Sequence, residues 1–206
     1  TKIDPEINPL LQTREVKRAA VIIVTADRGL CGAFNSNIAK TSMDHINKNY
    51  GHLVERLHAF KLIMVGKKGF DFFNKKDFEL HSKHVGIFHA LDFNHARSIV
   101  HEISDGYLKG EFDKVEVIYN EFKSVIQQRI VVEQLLPIPP EEMKQTEDLK
   151  SLAQVEYIYE PSSAEIINAL LPKHLNFQMW RILLESNAAE QGARMTAMDN
   201  ATTNAS

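Results

Sequence analysis

The residues with the most chemical potential lie together in the segment Asp27-Arg28-Gly29-Leu30-Cys31-Gly32-Ala33-Phe34-Asn35-Ser36-Asn37. The segment follows an apolar strand-like run and opens a helical pattern. In an α/β fold that is where free helix N–H groups hold phosphate. Its glycines are Gly29 and Gly32, so neither GxGxxG nor GxxxxGK[ST] is matched. No acidic residue ends the second strand-like run to hold a ribose. A tight turn that lets neighbouring chain pack close is the simpler reading. A phosphate- or nucleotide-binding α/β enzyme using residues 27–37 is the alternative. Cys31 near a helix N-terminus could be an activated nucleophile. No His is adjacent, however, and position 37, where a phosphate cradle would carry Arg, is Asn37. A packed small thiol is expected instead. His81, His84, His89 and His95 form a loose group, and His81-x-x-His84 could share a helix face and bind zinc. Acidic ligands are few there and the spacing fits no zinc site, so these read as surface histidines. No catalytic, cofactor-binding or metal-ligating residue follows from these patterns.

The elements that would position these residues can be read from periodicity. Ala19–Val24 is a continuous β-branched apolar run, the mark of a strand buried on both faces. Asn35 or Ser36 can cap a helix to about Tyr50, with Ile38, Ser42, Ile46 and Tyr50 on one face. A second buried strand spans 61–65 and stops at Gly66, and 69–74 reads as a short Phe-rich helix or turn. A strand is expected at 78–81 and a helix at 89–109, where Ala96, Ile99, Val100, Ile103 and Leu108 recur every three or four residues. Segments 114–122 and 128–136 are strand-like. The five residues between them suit a hairpin, so that part of the sheet is antiparallel. A Pro-rich surface loop at 137–150 and a last strand at 155–159 complete the pattern. It predicts a three-layer αβα domain over residues 1–160, with a mixed, mostly parallel sheet.

Composition agrees with an ordinary folded protein. The chain has 206 residues, 44% hydrophobic and 25% charged, with 24 Lys and Arg against 27 Asp and Glu. Such a balance excludes wholesale disorder and gives no sign of a basic nucleic-acid surface. One cysteine excludes an internal disulfide. The longest apolar run is far short of the roughly 20 residues that span a bilayer. The chain begins with Thr1 rather than Met and ends at Ser206 inside a helical pattern. It reads as a piece of a longer protein.

Residues 161–206 are different. Ser162 or Ser163 can cap a helix with Glu165 in its first turn, and Pro172 is expected to break or kink it. Beyond Lys173 no Pro intervenes, giving a helix of about 34 residues, roughly 50 Å. That outgrows the domain. Ala189, Ala193, Ala197, Ala201 and Ala205 recur every fourth residue, with Gly192, Met195 and Met198 beside them. A row of small side chains lets a second helix approach closely. The row drifts by about 40° per step, so that helix must wind around it. Glu190 and Arg194 can form an exposed i, i+4 pair worth about 0.3 kcal/mol. Alternatively Glu185, Glu190, Arg194 and Asp199 make a polar contact surface for a surrounding partner.

Two stretches carry a resemblance. Thr25-Ala26-Asp27-Arg28-Gly29-Leu30-Cys31-Gly32-Ala33-Phe34-Asn35-Ser36-Asn37 resembles the signature of the γ subunit of F-type ATP synthases, of bacterial type. The run Glu190-Gln191-Gly192-Ala193-Arg194-Met195-Thr196-Ala197-Met198-Asp199-Asn200-Ala201-Thr202-Thr203-Asn204-Ala205 resembles the start of that family's C-terminal signature. The resemblance covers essentially the whole chain and implies a non-catalytic rotor. The α/β domain would stand at the foot of a central stalk. The terminal helix would be half of an antiparallel coiled coil that rises into the ring of α and β subunits. Proton or sodium flow would turn it. It implies an ε subunit and a c-subunit ring as further partners, and a peripheral place on the cytoplasmic face of a bacterial inner membrane. It also implies that the family's N-terminal helix precedes Thr1 and that the upper C-terminal helix follows Ser206. Asp27, Arg28, Gly29, Leu30, Cys31, Gly32, Ala189, Ala193, Arg194, Ala197, Ala201 and Ala205 are then shaft-packing and subunit-contact positions.

Overall fold

The computed structural model describes residues 8–125, 127–139 and 163–205. The strand expected at 155–159 and most of the loop expected at 137–150 lie outside the described residues. One five-stranded sheet has the order β3-β2-β1-β4-β5. β1 (Ala19–Val24) is central, with β2 (Phe60–Val65) and β4 (Lys114–Ser124) parallel on either side. β3 (Leu80–His84) extends the sheet in parallel beyond β2, and β5 (Gln127–Leu136) runs antiparallel to β4. Four helices connect and cover it: α1 (Phe34–Val54), α2 (Lys67–Phe73), α3 (Phe93–Leu108) and α4 (Ser163–Ala205). The three-layer, mostly parallel architecture expected from the pattern is what forms.

The unalternating run of β1 has a direct cause. Ala19, Val21 and Ile23 join Ile38, Ile46, Tyr50 and Leu53 of α1 in one core. Ala20, Ile22 and Val24 join Ile99, Ile103 and Tyr107 of α3, and Leu175, Met179, Ile182 and Leu183 of α4, in another. A strand between two helical layers has no face to give to water. Each fully buried aliphatic chain contributes about 1.5–3 kcal/mol. The first part of α4 is therefore structural tissue of the α/β domain.

Several expected boundaries move. α1 has Ala33 as its N-cap, without a side-chain cap, so Asn35 and Ser36 sit inside the helix. The Asn35 amide oxygen instead accepts from the Ala26 N–H (3.0 Å), and the Ser36 hydroxyl donates back to the Ala33 carbonyl (3.0 Å). The helix continues past Tyr50 because Leu53 is buried. β3 starts later than expected, and α3 starts at Phe93 because Asp92 and His95 form a capping box there. The hairpin connection is shorter than five residues, because β4 runs to Ser124 and β5 starts at Gln127. Ile138 is buried and its N–H donates to the Leu10 carbonyl, so the start of the Pro-rich segment packs on the domain. The break expected near Pro172 is absent, and α4 is helical throughout its 43 residues. Leu171 and Leu175, on either side of Pro172, are both buried in the core, and their burial favours keeping the helix unbroken there.

A corner of buried polar contacts closes the end of β1. The Thr25 hydroxyl donates to the Val65 carbonyl (3.1 Å) and accepts from the Gly69 N–H (2.8 Å). Gly66 has φ 90°, and a Cβ there would lie 2.1 Å from the Thr25 carbonyl oxygen, so only glycine fits. The Asp27 carboxylate accepts three backbone N–H groups, from Lys67 (2.9 Å), Gly86 (2.7 Å) and Phe88 (3.1 Å). One side chain thus joins the exits of β1, β2 and β3.

The α1 face holds a buried carboxylate, Glu116, bonded to His45 Nε2 (2.7 Å) and Lys114 Nζ (2.6 Å). Burial pushes its pKa up, but hydrogen bonds from Lys114, His45 and Tyr50 outweigh that and hold it below the ordinary carboxylate value. The folded state therefore keeps Glu116 ionised where the unfolded chain would take up a proton. Its contribution is complete above the unfolded value and fades as pH falls through the folded one.

Two outcomes follow for stability. Asp27→Ala leaves three N–H groups without their acceptor and should lower unfolding free energy by about 2 kcal/mol in urea titrations. Glu116→Gln should lower the melting temperature at neutral pH, with the gap to wild type narrowing as the solution is acidified toward about pH 3. A gap that widens on acidification would contradict the assigned ionisation.

Candidate functional site

The loop after β1 and the second half of α4 lie against each other. Ala189 of α4 is fully buried and packs with Ala26, Cys31 and Phe34, and Ala193 packs partly against the same group. One turn further, a Cβ built on Gly32 would lie 3.9 Å from the Ala197 Cβ. Gly192, on another side of the helix, meets the tip of the β4–β5 hairpin. A Cβ there would lie 3.0 Å from the Val125 carbonyl oxygen. Small residues thus let two backbones approach α4, and both belong to its own domain. The row is split: Ala189, Ala193 and Ala197 meet the loop, whereas Ala201 and Ala205 are exposed. A single absent helix covering the whole row is not what the structure shows. The row drifts around the axis, so its first half turns toward the domain before the helix leaves it.

The loop residues have distinct roles. Asp27 is the corner anchor. Arg28 places a guanidinium nitrogen 2.9 Å from His89 Nδ1, and its carbonyl accepts from the Asn35 amide (3.3 Å). Gly29 lies near Lys68. Leu30 (φ 63°) and Gly32 (φ 57°) both take left-handed backbone. Leu30 is thereby turned outward and is 84% exposed, an unusual place for a large apolar side chain.

Cys31 is 1% exposed, and its sulfur accepts from the Asn35 amide at 3.2 Å. Burial, seconded by the charge of Glu190, pushes its thiol pKa up, with Arg194 opposing. A thiol held in its protonated form beneath a helix is a packing group. Glu190 and Arg194 form the i, i+4 pair expected from spacing, but it is not exposed. Glu190 is buried and Arg194 half-buried, facing the loop. The histidines do not gather into a metal site, and no such group occurs among the described residues. His81 and His84 instead bracket the Glu102 carboxylate at 3.3 and 3.0 Å.

One part of the site has no local signature in the sequence. Arg181 of α4 reaches Glu133 of β5 (2.7 Å), the Tyr119 hydroxyl of β4 (3.1 Å) and Glu185 one turn along (3.1 Å), while Tyr119 donates to Glu133 (2.6 Å). These residues are far apart in the chain, so spacing could not reveal them. An alternation break could have, since Tyr119 and Glu133 put polar groups on an otherwise apolar face. Together with the Ala189 contact, this network fixes the rotation of α4 about its own axis. Past it the helix emerges. Met195 and Met198 are 56% and 52% exposed, and residues 198–205 are exposed throughout. No helix among the described residues is long and apolar enough to cross a membrane.

The sequence and the fold both have relatives among known proteins. The family model described as ATP synthase matches residues 1–206. The ATP synthase gamma chain of Chloroherpeton thalassium is 50% identical, over 99% of this chain and 69% of the relative's length. That of Chlorobaculum parvum is 51% identical, over 100% of this chain and 68% of the relative. Among solved structures, the central stalk and c-ring of Tetrahymena thermophila mitochondrial ATP synthase contains a chain with TM-score 0.69 and 30% identity. The alignment covers 93% of this chain and 79% of that one. A chain of the Euglena gracilis mitochondrial ATP synthase rotor shares the fold at TM-score 0.64 and 18% identity, over 96% of this chain and 75% of that one. The chain belongs to the ATP synthase gamma chain family.

Proposed function

We propose that the chain works as the central-stalk rotor of an ATP synthase, transmitting torque through α4. The observation that carries this reading is the division of α4. Its first part is a layer of the α/β domain, and its last turns stand free with two methionines bare. A helix that only completed the core would end where the core ends. A helix that turns with its domain must be prevented from slipping about its axis, and three separate contacts do this: the apolar core, the Arg181–Glu133–Tyr119 network, and the loop under Ala189. Dense packing of small groups resists shear better than long flexible side chains.

In this reading the domain forms the foot of the stalk, beside an ε subunit and a ring of c subunits. The free end of α4 enters the ring of α and β subunits as one strand of a coiled coil. Proton or sodium flow turns the domain, and the asymmetric shaft sets the state of each catalytic site. The chain itself makes and breaks no bond. The enzyme would sit peripherally at the cytoplasmic face of a bacterial membrane. Asp27, Arg28, Gly29, Leu30, Cys31 and Gly32 serve as the seat of the shaft, with Ala189, Ala193, Arg194 and Ala197 resting on it. Ala201 and Ala205 face a partner. A phosphate-dependent enzyme on the same loop is disfavoured, because the Cys31 thiol is buried and kept protonated and the Ser36 hydroxyl is turned back onto the Ala33 carbonyl.

Two alanines separate the roles. Ala189→Leu overfills the contact with Cys31 and Phe34 and should cost about 1–3 kcal/mol of domain stability. Ala201→Leu is on an exposed turn and should change stability by less than about 0.5 kcal/mol. In the assembled enzyme, however, Ala201→Leu should lower the ions pumped per ATP hydrolysed, measured in membrane vesicles. Full coupling in Ala201→Leu would count against a tightly packed shaft.

A further inference from the structure

The edge of the domain formed by α2 and β3 takes no part in the contacts with α4. It exposes Lys67, Lys68, Lys75, Lys76 and Lys83, with Asp71 and Asp77 as the carboxylates of the same stretch. Lys17, Lys61, Lys114 and Lys123 have ion-pair partners. Among the described residues, none of the five edge lysines has a carboxylate within 4.0 Å. Glu79 nearby is already taken by Lys61 and His58. The whole chain has a net charge of -3, so five free cations against two anions is a local excess of the opposite sign.

These lysines are placed by aromatic rings. Lys83 Nζ lies 4.4 Å from the centre of the Phe70 ring, and Lys76 Nζ lies 5.6 Å from that of Phe72. Phe72 touches the fully buried Phe73, which packs on Phe78, so the rings lead into the core. A cation held in this way loses less freedom when it meets a partner. Lys67 and Lys68 stand in the first turn of α2, where the peptide dipoles favour a carboxylate. A lysine on an edge strand discourages strand pairing, which accounts for Lys83 alone. Charges that oppose the local rule, with no compensation inside the chain, point to a partner of opposite charge.

The layout selects the kind of partner. Lys67 and Lys68 stand at the end of the sheet where α4 leaves. The Lys67 N–H donates to Asp27, and the Lys68 side chain lies beside Gly29. Lys75 and Lys76 lie toward the opposite end, next to Phe78, whose ring packs on Phe60 at the start of β2. The row therefore runs with the strands for about the length of β2, roughly 17 Å. In the rotor reading, on which this step rests, a bilayer lies across the stalk and would meet one end of the row only. A polypeptide can follow all of it. We propose that the α2–β3 edge docks an acidic segment of a neighbouring protein subunit, laid lengthwise along the domain in the direction of the shaft. Phe72, 40% exposed within the row, offers that segment an apolar contact.

The test is zero-length cross-linking of the assembled enzyme with a water-soluble carbodiimide, which joins a lysine amine to a carboxylate in contact with it. Peptide mass spectrometry then locates the products. Retention of the catalytic ring in the same preparation checks the rotor reading separately. Cross-links from both ends of the row, Lys67 or Lys68 and Lys75 or Lys76, to Asp or Glu of one segment of another subunit are expected. They should fade when salt is raised to about 0.5 M before the reagent is added. Lys75→Gln with Lys76→Gln, both on exposed positions, should leave the melting temperature unchanged and lower the cross-link yield at Lys67, Lys68 and Lys83 by about fivefold. In an enzyme that keeps its ring, products confined to this chain's own Asp71 and Asp77 would overturn the surface. So would yields indifferent to the double substitution, or binding of the full chain to phosphatidylglycerol vesicles that the double substitution abolishes while no intersubunit product forms.

Discussion

Methyl groups set the distance at which the terminal helix passes the loop after β1. Ala189 lies with no exposure against Ala26, Cys31 and Phe34, and Gly192 brings the same helix against the hairpin carbonyl of Val125. Larger residues at either position would lift α4 away from the domain. The core beneath Leu175, Met179, Ile182 and Leu183 would then lose its cover. The direction in which the helix leaves the domain depends on this approach, and so does the seating of the Glu190–Arg194 pair. The loop can offer so close a surface because Asp27 pins its start to three backbone N–H groups. Gly32 then turns it with a positive φ.

Apolar packing and polar contacts divide the work. Apolar burial is non-directional and would tolerate some rotation of α4 on the sheet. The Arg181 network does not tolerate it, because a guanidinium meets carboxylate and hydroxyl groups only in a narrow range of angles. The polar contacts therefore define orientation while the core supplies affinity. That combination suits a part that must turn as one body with its domain.

Most of the sheet was legible in the sequence because burial on both faces leaves an unmistakable run, as in Ala19–Val24. The helix periodicity of Ile99, Val100 and Ile103 was equally plain. Less was legible where tertiary contacts override local rules. Asn35 and Ser36 have the side chains of helix caps, yet one accepts from Ala26 and the other donates backward, so the expected cap failed. Pro172 should interrupt a helix on intrinsic grounds, but the helix continues through it, with buried leucines on both sides. The alanine row is plain in the sequence, where its even spacing suggests one continuous seam. Its division between domain and free end follows from the drift of an i, i+4 row, and only the position of the loop shows where the division falls. The Arg181–Glu133–Tyr119 network joins α4 to the distant β4–β5 hairpin, and only the polar groups of Tyr119 and Glu133 on an apolar face hint at it.

As a rotor, the domain and α4 must turn together inside an assembled ATP synthase. The buried Cys31 leaves a useful opening for measuring this, since a cysteine introduced at Leu57, which is 86% exposed, would be this chain's accessible thiol, to be labelled before assembly. A fluorophore on Leu57→Cys in the immobilised complex, followed by single-molecule polarisation during ATP hydrolysis, reports the motion directly. Stepwise rotation in one direction that stops when ATP is removed is the predicted result. A label that stays fixed relative to the catalytic ring while ATP is being hydrolysed would contradict the rotor.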